Sequence, residues 1–511
     1  MSEKNGINNL VTKVARGLYR RAPQGIRRSI KSVITQALPT VKHDRHGESR
    51  HIVKRSTRSR IHVTSEDVGT TYNAEDIVPM LALENDALHR LLRDSKQELF
   101  KLRQLRSNNE QPSTTTRQEN ASILADQYLT NQPDAPVRHL VLANEYPRVG
   151  KEYGNGFVHQ RVKQYLQAGV AVDVVCAGYS VDQDLYEYDG VRVLTGHGEE
   201  ISEILRRQTY TSVSAHFLNA RIWNGIEPFL SELDFHVFLH GYECSRWIRR
   251  VGNYRNGLDL ERAIERSINL QTFWHEVLHH PHAPSSYIFV SDWWRRAVLD
   301  DMRLTFPANR VHVIHNYINS DLFRYEPKED AQRFNLLWIR SAANRNYAND
   351  IAIKVLEHLS KSQYWNRCKV TIIGDGRYFP EFESRLSQFK NVHIQQRYVS
   401  QREIADLHKT HGIFLVPTRL DSQGVSRDES MSSGLVAATN SVAAVPEFID
   451  KDSGVLAGPE DAKGLAAGII KLWDDPAEFQ RLSRSAARRG RQQSGYVSTV
   501  EREMQVLGIK D

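Results

Sequence analysis

Residues 417–447 read PTRLDSQGVSRDESMSSGLVAATNSVAAVPE, and this stretch decides the fold. A short apolar run, GIFLVP, leads into it and predicts a buried strand that ends at Pro417. A polar loop with Gly424 follows, then a helix from about Asp428 that ends at Gly434, and then a second apolar run, LVAAT. Strand, loop, helix and strand form the parallel-sheet unit whose loops carry ligands at the carboxyl ends of strands.

Two acidic residues, Asp421 and Glu429, stand in this unit with seven residues between them. Because a turn and the first turn of a helix separate them, both carboxylates can face the space above the sheet, one toward sugar hydroxyls and the other toward a ribose. The same spacing also fits an Asp that caps a turn and a Glu that complements the positive end of a helix. Spacing alone leaves both interpretations open.

The segment resembles the signature of the retaining glycosyltransferases of family 4, which have the GT-B fold. In that family a Pro-Ser-x-x-Glu-Gly-Phe-Gly loop leads to a Glu-Ala-Met-Ala-x-Gly helix and then to a Gly-Val-Pro-Glu turn. This sequence departs from the pattern at Asp421, where the family has Glu, and at Ser422 and Gln423, which replace Gly-Phe. The residues at matching places are Pro417, Gly424, Glu429, Met431, Gly434, Val445, Pro446 and Glu447.

Composition is ordinary for a soluble globular protein. The 511 residues suffice for two or three domains, with 40% hydrophobic and 25% charged residues. No apolar run is long enough to span a bilayer and no signal-peptide core follows the first charges, so we expect a cytoplasmic location. The three cysteines lack metal-ligand or disulfide-like spacing. Much of the net charge of +7 belongs to the first sixty residues and so describes an appendage.

The first 38 residues predict two basic amphipathic helices. Apolar residues recur at helical spacing over residues 8–38 while lysines and arginines fill the other positions, and Pro23 with Gly25 breaks the pattern. Such helices bind anionic membrane surfaces, which would place the protein at the inner face of the membrane. Docking on the chain's own body, a transit-like segment and a nucleic-acid arm are the alternatives. Aromatic stacking residues are nearly absent, so we expect no nucleic-acid partner.

Three further segments precede the folded body. Residues 39–73 are polar and basic and predict a disordered linker, and residues 107–135 predict a second linker. Residues 74–106 predict a short coiled coil, which would form a homodimer or pack back on the catalytic body. Its leucine seam consists of Leu81, Leu88, Leu92, Leu99 and Leu102.

The first strand of the body, RHLVLAN (138–144), is followed by a glycine-containing loop and a helix. Gly154 and Gly156 lie just before that helix, where backbone amides and the positive helix end can meet a phosphate. The glycines do not keep the dinucleotide fingerprint, which argues against an oxidoreductase. The resemblance implies that this loop borders the acceptor and the donor phosphates.

Histidines are the next candidates. His240 ends the strand FHVFLH, where an imidazole can exchange a proton near neutral pH, and the resemblance implies that it faces the donor sugar. His216, which ends YTSVSAH at a similar place, is a second candidate. His275 and His279 satisfy the short His-Glu-x-x-His zinc pattern, but prolines crowd the helix end and no third ligand follows, so we expect no metal.

The second domain opens with FNLLWIRSAANRNYAND, in which a buried strand delivers Arg340 and Arg345 follows at a helix start. Fixed cations beside helix N-terminal amides can stabilise the negative charge that develops on a leaving diphosphate, although surface arginines would look the same. In the family an Arg and a Lys occupy these places, so the resemblance gives Arg340 and Arg345 this role. The preceding stretch 310–323 resembles the family's passage between domains.

Together these patterns predict an α/β protein of the GT-B fold, with two Rossmann-like domains facing across a cleft. The resemblance implies transfer of a sugar, with retention, from a nucleotide-sugar donor to a glycan or lipid-linked acceptor in cell-surface polysaccharide synthesis, without a cofactor. It assigns the ribose to Glu429, and the donor sugar to Asp421, His240 and the backbone amides of Gln423, Gly424, Val425 and Ser426. The predicted divisions are the basic segment 1–38, linker 39–73, coiled coil 74–106, linker 107–135, acceptor domain 136–325, donor domain 326–485 and C-terminal helix 486–511.

Rival functions share parts of these patterns. A phosphorylase or a sugar-nucleotide epimerase would use the same two-domain cleft. A non-catalytic, membrane-associated scaffold with a degenerate transferase body would account for Asp421 and the altered loop after it.

Overall fold

The computed structural model describes residues 112–130, 135, 137–151, 154–303 and 305–510. The predicted membrane-binding segment 8–38, disordered linker 39–73 and coiled coil 74–106 lie outside the described residues and stay predictions. Within the described ranges, the helices lack the combination of length and apolar character that crossing a bilayer requires.

Tyr254–Ile268 is the described part of one compact unit, and the described residues of 108–253 and 269–511 form another. In the smaller part, Asp259 lies in the first turn of the helix Gly257–His279. It accepts a hydrogen bond from Arg255 Nε at 2.9 Å.

Between residues 137 and 313 the described chain contributes eight strands to one sheet. Their order across the sheet is third, fourth, second, first, fifth, sixth, seventh and eighth, and neighbours are parallel except for the antiparallel pair of the third and fourth. The strands are β1 (Arg138–Ala143), β2 (Ala171–Cys176), β3 (Asp184–Tyr188), β4 (Val191–Thr195), β5 (Ser212–His216), β6 (Phe235–Leu239), β7 (Ser286–Phe289) and β8 (Val311–Val313).

The central strands of this sheet are buried along their whole length, as β1, β5, β6 and β7 show. A parallel strand covered by helices on both faces reads as a near-continuous apolar run, which is why LVLA and FHVFL were recognisable as strands. The half-exposed sequence DLYEY of β3 suits the edge. The helices between residues 112 and 302 are α1 (Pro112–Leu129), α2 (Gly156–Gln167), α3 (Glu199–Arg207), α4 (Ala220–Ile226), α5 (Gly257–His279) and α6 (Asp292–Met302).

Helix α1 corrects one prediction. Residues 107–135 are predicted as a linker, but Pro112–Leu129 is helical, and Ala125 and Tyr128 are buried in the core of the first domain. The Tyr128 hydroxyl accepts a hydrogen bond from the amide of Val174 in β2 at 2.8 Å. The linker prediction is wrong here because a few apolar side chains in the last two turns find a core, whatever the polar composition around them.

A second sheet occupies residues 335–457 and is parallel throughout its described strands. The strands are β9 (Asn335–Ile339), β10 (Lys369–Gly374), β11 (Val392–Gln396), β12 (Ile413–Leu415), β13 (Val436–Asn440) and β14 (Gly454–Ala457), in the order β11-β10-β9-β12-β13-β14. Its helices are α7 (Asn349–Leu359), α8 (Pro380–Leu386), α9 (Gln401–Thr410), α10 (Val425–Ser432), α11 (Val445–Phe448), α12 (Ala462–Asp474) and α13 (Pro476–Ser494).

The end of the chain returns to the first sheet. After α13, a π-helical turn leads to α14 (Arg502–Val506), where Glu503 is fully buried. Its carboxylate accepts from Arg161 Nε at 2.9 Å and from the Tyr165 hydroxyl at 2.8 Å, both on α2. The C-terminal residues Val500, Met504, Leu507 and Ile509 complete a hydrophobic cluster with residues of β6, β7 and α2.

Candidate active site

The loop after β12 owes its shape to a glycine. Gly424 has φ +100°, and a Cβ there would lie 2.9 Å from Arg427 Nη1. Arg427 is buried and pairs with Asp428 at 2.7 Å. With Gly424 as its N-cap, α10 begins at Val425, three residues before the predicted start at Asp428. The first helical amides therefore point at the loop.

The first predicted carboxylate, Asp421, pairs with Arg340. Arg340 Nη2 lies 2.8 Å from Asp421 Oδ2, and Arg340 Nη1 donates to the carbonyl of Pro417 at 3.0 Å. Their side chains are only 8% and 18% exposed. Because Arg340 follows β9 and Asp421 follows the neighbouring β12, the carboxyl ends of adjacent parallel strands bring them together.

The second predicted cation, Arg345, is also engaged by a carboxylate. Its guanidinium makes two hydrogen bonds to Glu381, at 2.7 and 2.8 Å, and lies 3.9 Å from the ring centroid of Tyr378. Glu381 raises the pKa of Arg345. The Arg345 amide donates to Asn253 Oδ1 at 2.7 Å, so this residue stands where the two domains meet.

The second predicted carboxylate, Glu429, lies in the first turns of α10 and is 8% exposed. Burial raises its pKa from 4.5 to about 8, and a hydrogen bond from the Gln401 side chain opposes that rise. A ligand that supplies further hydrogen-bond donors, as two ribose hydroxyls would, stabilises the ionised form of such a buried carboxyl group.

Gln423 ties the loop to the interdomain connection. Its Oε1 accepts from the amide of Asn316 at 2.6 Å, and its Nε2 donates to Asp428 Oδ2 at 3.0 Å. Its own amide donates to Asp421 Oδ1 at 3.3 Å. Of the amides predicted to face the sugar, those of Val425 and Ser426 occupy the first two helical positions, where no partner exists within the helix.

In the first domain, His240 follows β6 and is 5% exposed. Its Nε2 lies 2.9 Å from Nδ1 of His216, the last residue of β5. Burial lowers the pKa of both rings well below 6.5. The amides of His240 and Gly241 both donate to the carboxylate of Glu243, whose pKa burial raises to about 7.

Gly154 and Gly156 lie at the start of α2, as predicted. Gly156 is the first helical residue and Asn155, its N-cap, has φ +55°. Asn155 Nδ2 donates to Asn144 Oδ1 at 2.8 Å, and Asn144 Nδ2 donates to the Tyr242 hydroxyl at 2.7 Å. The loop is thereby connected to the strand end that carries His240.

Ser422 and Glu447 connect the two domains through contacts that no pattern in the sequence indicates. The Ser422 hydroxyl donates to the carbonyl of His240, and its own carbonyl accepts from the Ser291 hydroxyl at 2.6 Å. Glu447 accepts from the amides of Asp292, at 3.0 Å, and of Trp293, at the N-terminus of α6. Their partners lie more than 130 positions away, so only the folded chain reveals them.

The zinc alternative places His275 and His279 on α5 with ring centroids 4.0 Å apart. His279 Nδ1 contacts the His275 carbonyl at 2.8 Å, as a helical side chain contacts the preceding turn. Among the residues that the structure describes, no cluster of three or more His, Cys, Asp or Glu side chains is arranged to hold a metal ion.

Two domains with parallel sheets, a C-terminal helix that returns to the first domain, and ligand-type residues at facing strand ends define the GT-B architecture. Residues 333–475 match the family model of the glycosyl transferases group 1, which confirms the predicted resemblance.

Two curated relatives match by sequence, and both are named D-inositol 3-phosphate glycosyltransferase. The protein of Thermomonospora curvata is 29% identical over 143 residues, 27% of this chain and 33% of the relative. The protein of Thermobispora bispora is 25% identical over 199 residues, 36% of this chain and 46% of the relative. The chain thus matches between a third and a half of the length of these relatives.

Solved structures confirm the predicted fold. Sucrose-phosphate synthase from Thermosynechococcus elongatus superimposes with a TM-score of 0.56 at 14% identity, covering 72% of this chain and 98% of that one. TarM gives a TM-score of 0.53 at 11% identity, covering 74% and 99%. An E. coli structure described as trehalose-6-phosphate bound with UDP-2-fluoro glucose gives 0.52 at 11% identity, covering 73% and 98%. At these identities the likeness shows the fold alone.

Proposed function

We propose that this protein is a retaining glycosyltransferase that takes a sugar from a nucleotide-sugar donor. One observation carries the proposal: within the segment that matches the group 1 family, Arg340, Asp421 and Glu429 stand at the carboxyl ends of adjacent strands and at the start of α10. Ligands of open parallel sheets bind at this edge. The sequence relatives are named as glycosyltransferases, which supports the same class of reaction.

The arginines would hold the diphosphate of the donor. As the bond to the sugar breaks, negative charge develops on the leaving diphosphate, and fixed guanidinium groups stabilise it without reorganisation. Arg340 is held in place by Asp421 and the Pro417 carbonyl, so its charge is already oriented. Arg345 must exchange at least one of its hydrogen bonds to Glu381 for a phosphate oxygen.

Asp421 and the amides at the start of α10 would position the donor sugar. Asp421 retains one carboxylate oxygen toward Arg340 and one toward the Gln423 amide, which fixes the plane of the carboxylate. Val425 and Ser426 offer helix N-terminal amides for the phosphate side of the sugar. Glu429 would bind the ribose, and His240 would contact the sugar from the first domain.

The acceptor side belongs to the first domain. Gly156 leaves space at the start of α2, since a Cβ there would meet no atom within 4 Å, whereas a Cβ at Gly154 would contact the Tyr146 carbonyl oxygen at 3.4 Å. A glycan or lipid-linked acceptor in cell-surface polysaccharide synthesis, reached from the inner face of the membrane through residues 8–38, completes the proposal. Dimer formation through residues 74–106 is a separate proposal. A measurement of the mass of the full chain in solution would test it.

A donor panel tests the function. UDP-, GDP-, ADP- and dTDP-sugars are added to wild type, to Glu429→Ala, and to Glu383→Ala, a control on an exposed helix residue of the same domain. A donor at a hundred times its Kd stabilises the fold by roughly 2.7 kcal/mol, which a thermal melt detects. One donor should shift wild type and the control but not Glu429→Ala.

The anomeric configuration of the first-formed product, read by NMR, then tests retention. If no donor shifts the wild type, the scaffold interpretation replaces the transferase. If donor and water or phosphate react equally well without an acceptor, a phosphorylase-type reaction replaces it.

A further inference from the structure

Arg419 lies in the loop after β12, two residues before Asp421, and its guanidinium uses every N–H group it has. Nη1 and Nη2 donate to the two carboxylate oxygens of Asp350, each at 2.8 Å. Nε and Nη2 donate to the carboxylate of Glu460 at 2.5 and 2.8 Å, and Nη1 also donates to the carbonyl of Arg345 at 2.9 Å. Because a guanidinium has five N–H groups, these bonds leave none for a phosphate, and the role of Arg419 depends on the groups it holds.

Asp350 lies close to the guanidinium that the proposed site needs. Its Oδ1 is 3.9 Å from Arg345 Nη1, at the outer limit of an ion pair. Burial acts to raise the pKa of Asp350, but the hydrogen bonds from Arg419 and the Arg345 charge hold it below its usual value of 3.8, so this carboxylate is ionised at pH 7. A displacement of about 1 Å would bring Asp350 into a charge-assisted hydrogen bond with Arg345, since such bonds form at roughly 2.7–2.9 Å.

The Arg345 guanidinium already binds one carboxylate. Glu381 accepts two hydrogen bonds from it, at 2.7 and 2.8 Å, and a diphosphate must compete with this partner. If Asp350 also closed on Arg345, the diphosphate would have to displace two carboxylates. Arg419 prevents this because it binds both oxygens of Asp350. The ammonium of Lys354 lies 4.0 Å from Asp350 on a side chain that is 53% exposed, and solvent screens such a contact.

The backbone around Arg345 is held by the same segment of chain. The Arg419 amide donates to the Asn346 carbonyl at 2.8 Å, and the Thr418 hydroxyl donates to the same carbonyl at 3.0 Å. The turn ends at Ala348, whose φ of +47° is adopted by a residue with a side chain only where the surroundings impose it. The segment after β12 thus fixes the backbone position of Arg345, and the guanidinium of Arg419 fixes which carboxylates surround its side chain.

We propose that Arg419 is a positioning residue that keeps Asp350 away from Arg345. The Arg345 guanidinium then has only the Glu381 carboxylate to exchange for an oxygen of the donor diphosphate. This role rests on the proposed transferase function, because it concerns Arg345 as the group that binds the leaving diphosphate. In this role Arg419 does not itself touch the donor.

A set of variants separates this role from support of the fold. Arg419→Met keeps most of the side-chain volume but frees both carboxylates, and Arg419→Lys keeps the charge without the planar guanidinium that binds a carboxylate through two N–H groups. Asp350→Asn removes the negative charge that Arg419 holds, both alone and together with Arg419→Met. Lys354→Met is the matched control, because it removes the other cation beside Asp350 at an exposed place.

Calorimetry on the full chain measures the binding of UDP, GDP, ADP and dTDP, and competition measures the matching nucleosides, which lack phosphates. For the diphosphate that binds wild type, Arg419→Met should raise the Kd about tenfold, as one further hydrogen bond to a charged group that must be exchanged predicts. Arg419→Lys should raise it by less, and neither variant should change the affinity for the nucleoside. Adding Asp350→Asn to Arg419→Met should restore most of the lost affinity, and Lys354→Met should bind as wild type does.

The rescue by Asp350→Asn is the decisive result, because a variant that merely loosens the fold would not regain affinity when a second side chain is changed. The proposal is overturned if Arg419→Met binds the diphosphate as wild type does, or if the double variant binds as weakly as Arg419→Met. An equal loss of affinity for the nucleoside overturns it too, since that indicates a general distortion of the site.

Two further outcomes are distinguished by the same set. Where Arg419→Met does not fold, Arg419→Lys with and without Asp350→Asn decides the question by the same rescue. If none of the four diphosphates binds wild type, the transferase function is refuted, and the role of Arg419 is refuted with it.

Discussion

Replacing Glu429 by Gln should change how the stability of the second domain depends on pH. The Glu429 carboxyl is 8% exposed, and burial raises its pKa from 4.5 to about 8. The native state therefore binds a proton that the unfolded chain releases between these two values. Since the folded pKa is the higher one, the contribution of this group is fully present below about pH 4.5 and is lost as the pH rises through about 8.

The size of the effect follows from the two pKa values. At 1.36 kcal/mol per pH unit, the interval from 4.5 to about 8 corresponds to about 5 kcal/mol, an order-of-magnitude figure. Gln is neutral at every pH and nearly isosteric with Glu, so the variant does not lose this stability as the pH rises. For a domain of this size about 2 °C per kcal/mol applies. The three units from pH 5 to 8 correspond to about 4 kcal/mol, so the Tm of Glu429→Gln should gain about 8 °C on that of wild type over this range.

The assay is a series of thermal melts from pH 5 to pH 9, followed by the fluorescence of the buried Trp338 and Trp473 in the second domain. The difference in Tm between wild type and Glu429→Gln removes the contributions of all other titrating groups. Glu383→Gln, an exposed position on α8, serves as the control and should leave the difference flat. A flat curve for Glu429→Gln as well would refute the reasoning, because it would mean that the carboxyl is hydrated in the folded protein.

Three further changes test separate parts of the structure. Gly424→Ala places a side chain at φ +100° and should cost at least about 1–2 kcal/mol in a urea melt while reducing the Tm shift by donor; equal melts would show that the loop adapts. Glu503→Ala leaves the fully buried Arg161 without its carboxylate and should lower the free energy of unfolding by about 3–5 kcal/mol. The additional substitution Arg161→Met should recover most of this loss. An unchanged stability of the single variant would contradict the buried ion pair. Glu381→Gln weakens the ion pair with Arg345, so UDP should bind more tightly, as measured by calorimetry. Weaker binding would mean that Glu381 holds the arginine in the position it takes when UDP is bound.

Much of the fold was accessible from the sequence because its parallel strands are buried. Runs such as LVLA and HVFL admit few alternatives, and the glycine-punctuated units between them gave the order of strands and helices. Helix α1 is not predictable in this way, because most of its residues are polar and only its last turns carry buried side chains. The sequence predicts the start of α10 three residues late, because a glycine N-cap looks like part of the preceding loop.

Some contacts of the candidate site can likewise be predicted from the sequence, and others cannot. Arg340 and Asp421 follow neighbouring strands, so their proximity could be foreseen from strand order alone. The partnership of Arg345 with Glu381 could not, because it depends on how α8 lies against the loop before α7. Gln423, an apparent departure from the family pattern, proved to bind the interdomain connection at Asn316, a contact 107 positions away.

Gly154 and Gly156, His240, and the amides of the α10 N-terminus stay predictions as to role. Their placement at strand and helix ends agrees with the expectation from sequence. The donor panel tests whether they bind the donor. The predicted domain limits other than the linker 107–135 likewise stay predictions.

The burial of Glu503 against Arg161 and Tyr165 has a consequence for the order in which the protein matures. The last strand of the first sheet ends at Val313, and the helix that carries Glu503 begins at Arg502, so during synthesis the sheet precedes this helix by about 190 residues. Until then Arg161 lacks the carboxylate with which it pairs, and Tyr165 lacks the apolar side chains of the C-terminal residues that cover it. The first domain thus acquires its complete set of buried contacts only after residues 500–509 have been synthesised.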